Sequence, residues 1–205
     1  MCFAALNICE YQILYTLSGI WDVYYVPVAD PDPYPPPIEP YLNSAEVTSQ
    51  IGSNGTWAMS NYDIVYQFNL TGDYIRSKSP YLEAVINAGV RTVLYDGDAD
   101  YICNYIGFEA MVRASCCLRP FLASALTPSL HTQAASLDTS FSSEFAEQEF
   151  TTYTVNGEAA GLYKNAGTFS YLRVYGAGHE VPAYKGAAAL QMFTQIMSDQ
   201  PLSST

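Results

Sequence analysis

Basic residues are scarce in this chain. Its 205 residues hold 8 Lys and Arg against 20 Asp and Glu, a formal net charge of -12. A surface of that sign is repelled by nucleic acid and by anionic membranes, so neither is expected as a partner. Histidine is scarcer still: His131 and His179 are the two in the sequence. With no second histidine near either, the chain lacks a conventional zinc-ligand spacing, and no metal site is expected. No turn of the form G-x-S-x-G occurs between Met1 and Thr205. The strained strand-to-helix turn that exposes a nucleophilic serine is therefore missing from these residues. The apolar run at the start has no basic leader and carries Glu10, then Asp22, which argues against a signal peptide or a membrane span here.

What is present is a globular composition. At 49% hydrophobic residues, the chain can bury one sizeable core, or most of a core plus a small appended unit. The acidic balance suits an acidic compartment, where protonation of carboxylates relieves self-repulsion. Cys2 and Cys9 are spaced for a local disulfide in an oxidising compartment, with two unrelated thiols as the alternative. Asn54-Gly-Thr and Asn69-Leu-Thr match the glycosylation acceptor triplet. Together these features favour the secretory route. No motif calls for a cofactor.

The texture changes near residue 80. Residues 1–79 are rich in Tyr, Pro, Asn and Ser. A helical patch over Glu10 to Leu17 is followed by a strand-like Trp21 to Val26. The proline-dense stretch from Asp30 to Pro40 can be neither helix nor central strand. Helices are expected from Asn43 or Ser44 to Ile51 and from Asn61 to Gly72, started by polar caps. From Pro80 a helix closed by Gly89, a buried strand over Arg91 to Tyr95 and a helix over Tyr101 to Val112 give the rhythm of a doubly wound sheet. Asn156-Gly157 sets a hairpin between Phe150 to Val155 and Gly161 to Lys164. Thr168 to Tyr175 is a further strand, and Ala187 to Met197 a closing amphipathic helix. The acid-free stretch 114–137, with adjacent Cys116 and Cys117, breaks the pattern. It reads either as a surface insertion or as translated non-coding sequence.

Two turns carry the chemistry. Asp96, Asp98 and Asp100 crowd the end of one apolar strand, and His179 follows Gly176-Ala-Gly178 at the end of another. The order acid, then histidine, each at a strand mouth, is the second half of a Ser…Asp…His set in an α/β-hydrolase arrangement. Spacing alone does not say which acid serves the histidine, and a calcium-like or helix-capping acid cluster is the competing reading.

Three segments bring a family into view: Gly97-Asp-Ala-Asp-Tyr-Ile-Cys-Asn104, the hairpin Val155-Asn-Gly-Glu-Ala-Ala-Gly161, and Tyr175-Gly-Ala-Gly-His-Glu-Val-Pro182. They resemble the serine carboxypeptidases, the secreted fungal kind in particular, over nearly the whole chain except 114–137. Lys185-Gly186 is shorter than the loop usual there. The resemblance implies an α/β class chain: the C-terminal part of an α/β-hydrolase fold, with a mostly helical cap in 1–79 and core in 80–205. It implies that Asp100 orients the histidine, that His179 is general base and acid, that Cys103 and Asn104 sit near the substrate, and that Glu180 borders the pocket of the leaving residue. The substrate would be a peptide or protein C-terminus, the location secreted or vacuolar, and the isolated chain inactive without a serine. A non-catalytic scaffold and an acyltransferase acting on small alcohols are the alternatives.

Overall fold

The computed structural model describes residues 2–28, 36–113 and 137–205. Its internal contacts divide into two compact units, Met1–Gly19 with Pro31–Arg76, and Ile20–Asp30 with Ser77–Thr205.

The first unit is helical. Helix α1 (Cys2–Asn7) runs through a wider π-wound segment, Ile8–Leu14, into α2 (Tyr15–Ser18), which stops at Gly19 with φ of 61°. The helix thus begins well before the expected Glu10. This winding also overturns the expected Cys2–Cys9 disulfide, because Cys9 carries a free thiol. Seven residues of helix separate the two positions by about 10 Å along the axis, beyond the Cα separation a disulfide spans. Helix α3 (Glu39–Leu42) forms the end of the proline-dense stretch, most of which lies outside the described residues. The next two helices follow their caps. Ser44 Oγ accepts from the Val47 amide at the start of α4 (Ala45–Ile51), and Asn61 Oδ1 accepts from Asp63 and Ile64 at the start of α5 (Tyr62–Thr71). Left-handed Gly52 and Gly72 end them, as expected of glycine at that position.

The second unit is built on one sheet. Helix α6 (Ser79–Asn87) leads to β1 (Thr92–Gly97), then α7 (Tyr105–Arg113) and α8 (Ser142–Glu147). Strands β2 (Thr151–Val155), β3 (Glu158–Ala166) and β4 (Phe169–Val174) follow, then α9 (Val181–Tyr184) and α10 (Gly186–Met197). The strand order is β1-β4-β3-β2, with β1 parallel to β4 and the other pairs antiparallel. Asn156 and Gly157, at φ of 53° and 81°, turn the β2–β3 hairpin as Asn-Gly should.

Strand β4 is buried on both faces, and its period of two divides the core. Phe169 and Tyr171 face a cluster with Ile86, Val112 and Phe145, supplied by α6, α7 and α8. Leu172 and Val174 face the other cluster, with Tyr153, Ala188, Met192 and Leu202. Each of the large aliphatic and Phe side chains among them contributes roughly 1.5–3 kcal/mol by leaving water. Helices on both faces of the sheet are the layering that the strand and helix rhythm of the sequence led us to expect. The atypical 114–137 stretch lies outside the described residues apart from Leu137, which is buried beside α7 and donates its amide to Met111 O at 3.0 Å.

Two expectations fail in this unit. Trp21 to Val26 is not a strand: the segment turns, because Asp22 Oδ1 takes the amides of Tyr24 and Tyr25 at 2.6 and 3.1 Å. It also groups with the sheet unit and not with the 1–79 cap to which the sequence reading gave it. The helix expected from Tyr101 starts at Tyr105, because Asn104 caps it: Asn104 Oδ1 accepts from Gly107 N at 3.0 Å.

Candidate active site

The parallel pair β1 and β4 is in register to its last residues, Gly97 opposite Val174. Both strands therefore end at one level, and the loops that leave them become neighbours. Asp98 N donates to Val174 O at 3.0 Å, Ala99 N to Ala177 O at 2.9 Å, and Gly176 N to Asp98 Oδ1 at 2.6 Å. This contact needs glycine. A Cβ on Gly97 would overlap the Ala177 carbonyl, and one on Gly178 would overlap the Tyr24 carbonyl.

The stitched loops bring Asp100 and His179 together. Asp100 Oδ2 lies 2.8 Å from His179 Nδ1, with the carboxylate side chain 3% exposed and the imidazole 39%. The second carboxylate oxygen accepts from Cys103 N at 3.2 Å, and Asp100 N donates to Gly97 O at 3.3 Å. An acid fixed from both sides in this way holds the imidazole with Nδ1 toward the interior. That leaves Nε2 for proton transfer to a reacting group. Asp100 and His179, the two residues expected to act together, are brought into one hydrogen bond.

A third strip of chain completes the surround, and sequence reading missed it. Val23 O accepts from Tyr101 N and Ile102 N at 3.1 and 3.0 Å, Val26 N donates to Ala99 O at 3.1 Å, and His179 N donates to Tyr24 O at 2.9 Å. The Tyr24 ring stands edge-on to the His179 ring, centroids 5.2 Å apart, and Tyr25 packs on Tyr184 at 4.3 Å. The one signal in the sequence was Asp22, a residue type that bends the chain by capturing amides just after it.

The three acids of the turn part company. Asp98 holds the second loop, Asp100 holds the histidine, and Asp96 is buried in the core beside the Tyr171 hydroxyl. They do not converge as a calcium cluster would. Burial pushes Asp96 up from its ordinary 3.8 to about 7, against the opposing pull of the Tyr171 hydroxyl and of Arg173. Arg173 itself pairs with Glu109 at 2.9 Å and lies 4.6 Å over the Tyr105 ring.

The other expected site residues fall around this centre. Cys103 is exposed, with its thiol pushed up by burial and then by the charge of Asp100. It borders an open cleft of about 240 Å³ with Ile102, Asn104, Gly107, Phe108 and Met111. Asn104 is occupied in capping, since its Nδ2 donates to Tyr101 O at 3.2 Å while its Oδ1 caps α7. Glu180 lies at the head of α9, with Oε2 buried and, among the described residues, without a hydrogen-bond partner. Asn54 is exposed in the irregular stretch after α4, and Asn69 lies on α5 with its Oδ1 buried. A carboxylate oxygen of Asp100, the Cys103 sulfur and a ring nitrogen of His179 all lie within 4.8 Å of one another, a grouping not anticipated from the sequence.

The family model of serine carboxypeptidase matches residues 26–199. The chain belongs to the serine carboxypeptidase family. It is 34% identical over 189 residues to carboxypeptidase S1 of Penicillium janthinellum, covering 92% of this chain and 40% of that protein. It is 33% identical over 156 residues to carboxypeptidase Y of Schizosaccharomyces pombe, covering 76% of this chain and 13% of that protein. Among solved structures it is similar to that of Kex1(Δ)p, a prohormone-processing carboxypeptidase from Saccharomyces cerevisiae. The TM-score is 0.63 at 16% identity, covering 94% of this chain and 41% of that one. That likeness shows the fold, part of an α/β-hydrolase. The chain therefore spans less than half the length of these members of the family. Among its described residues no helix is long and apolar enough to cross a membrane.

Proposed function

We propose that this chain supplies the acid–base half of a serine carboxypeptidase, releasing C-terminal amino acids from peptides through an acyl-enzyme. The observation that carries the reading is the Asp100–His179 hydrogen bond of 2.8 Å at the mouths of two parallel strands. His179 takes the proton of a serine hydroxyl as it attacks the last peptide carbonyl, then returns it to the departing amine. Water attacks the ester in the second half, again with His179 as base. Asp100 accepts from Nδ1 throughout and stabilises the imidazolium. Because no G-x-S-x-G turn occurs in this sequence, the nucleophilic serine on this reading comes from elsewhere, and residues 1–205 alone are expected not to hydrolyse peptides.

Glu180 places a carboxylate next to the histidine, with one oxygen buried and without a partner among the described residues. It favours a leaving residue with a basic side chain. Asn54 is the better placed glycan acceptor, and the protein works in a secreted or vacuolar setting. A chimera tests the reading: this chain replaces the matching stretch of Penicillium carboxypeptidase S1, and hydrolysis of a blocked dipeptide is followed. The chimera hydrolyses the dipeptide, and Asp100→Asn lowers kcat by about 10⁴-fold and His179→Ala by roughly 10⁶-fold. A chimera whose rate survives His179→Ala would overturn the assignment.

A further inference from the structure

We propose that Asp100, Cys103 and His179 form a binding site for a single zinc ion. Their donor atoms comprise one carboxylate oxygen, one sulfur and one ring nitrogen, all within 4.8 Å of one another. Among the described residues no other trio of such donors gathers this closely. The mixture selects the metal. Sulfur and imidazole nitrogen suit zinc and its neighbours in the first transition row, while calcium and magnesium ask for oxygen alone. Three protein ligands leave a fourth position for water, as in open zinc sites.

The geometry needs little change. Bonds of about 2.0–2.1 Å to carboxylate and imidazole put oxygen and nitrogen about 3.3 Å apart in a tetrahedron. Asp100 Oδ2 and His179 Nδ1 already stand 2.8 Å apart. A zinc–sulfur bond of about 2.3 Å places the sulfur about 3.6 Å from the nitrogen, and a small turn of the exposed Cys103 side chain covers that difference. Cys103 and His179 are both exposed, which gives the ion an entry path, and the net charge of -12 draws cations to the surface. On binding, the Cys103 thiol loses its proton to water as the sulfur–zinc bond forms. The hydrogen bond to Asp100 requires a proton on Nδ1, and coordination by Nδ1 requires its lone pair. Metal-bound and hydrogen-bonded His179 are therefore mutually exclusive states.

Cobalt(II) is the probe. The reduced full chain is titrated with Co²⁺, and the ion is then displaced with Zn²⁺. A thiolate-to-cobalt charge-transfer band, together with the visible bands of four-coordinate cobalt, saturates at one ion per chain and disappears on adding zinc. Cys103→Ser abolishes the charge-transfer band and weakens zinc binding by at least roughly 10–100-fold, the loss seen when even a ligand's support is removed. Cys9→Ser and the double variant Cys116→Ser, Cys117→Ser keep both. His179→Gln, a change at an exposed side chain, weakens zinc binding by a similar factor. Absence of the band in the unmodified chain, its survival in Cys103→Ser, or its loss in the Cys116, Cys117 variant would each overturn the site. The readout needs no hydrolysis, so its failure leaves the carboxypeptidase reading untouched, and the reverse holds.

Discussion

Gly97, the last residue of β1, lies against the backbone carbonyl of Ala177 so closely that no side chain fits between them. The neighbour is main chain and cannot rotate away. Gly97→Ala therefore separates the two loops that carry Asp100 and His179. It should cost on the order of 3 kcal/mol, a fall in melting temperature of roughly 10 °C for a chain of this size. Gly178→Ala, which meets the Tyr24 carbonyl, should behave alike. Gly55, with open space around its Cα, is the control: Gly55→Ala should stay within about 0.5 kcal/mol of the parent. Thermal melts of the three variants decide the matter, and equal melting of Gly97→Ala and Gly55→Ala would refute the close contact.

Much of this site was legible because it is local. The acids at the end of β1 and the Gly-Ala-Gly run before His179 are strand-end signals a few residues long, and Ser44, Asn61, Gly52 and Gly72 mark helix ends by their own chemistry. What escaped the sequence depends on partners far along the chain. Residues 21–26 have the composition of a strand, yet their backbone groups bond to the loops at Ala99, Tyr101 and His179, which no period within the segment could announce. Cys103 was read as a pocket residue, and its grouping with His179 appears only when β1 and β4 pair in parallel. The Cys2–Cys9 pairing failed for the opposite reason. Spacing suggested a loop, whereas helix formation over the same residues carried the two positions apart.

Asp96 gives the protein an acid-favouring stability. Asp96 is 5% exposed, and its carboxyl is pushed up by burial from its ordinary 3.8 to about 7 in the folded state. Below 3.8 both states are protonated and its contribution is fully present. As pH rises from there to about 7, the unfolded chain releases the proton while the folded chain retains it, so stability falls, levelling once Asp96 ionises. The integrated loss from this group is roughly 4 kcal/mol. Asp96→Asn removes the slope. Urea midpoints at pH 4 and pH 8 should be much closer together in the variant than in the parent, with the variant the more stable at pH 8. An unchanged pH dependence would show that Asp96 is ionised in the folded protein.

Glu180 offers the sharpest handle on specificity, because it follows His179 directly and one of its oxygens is buried without a partner among the described residues. A carboxylate so placed gains from a cation that reaches it, and a hydrogen bond between charged groups is worth about 1.5–3 kcal/mol. In the chimera with carboxypeptidase S1, Glu180→Gln should lower kcat/KM for peptides ending in Lys or Arg by roughly 10–100-fold. Peptides ending in Leu should change little, since they place no charge there, and the ratio of the two rates isolates this contact from any general loss of activity. A parallel fall for both peptide classes would instead make Glu180 a support of the His179 loop, with no voice in which residue leaves.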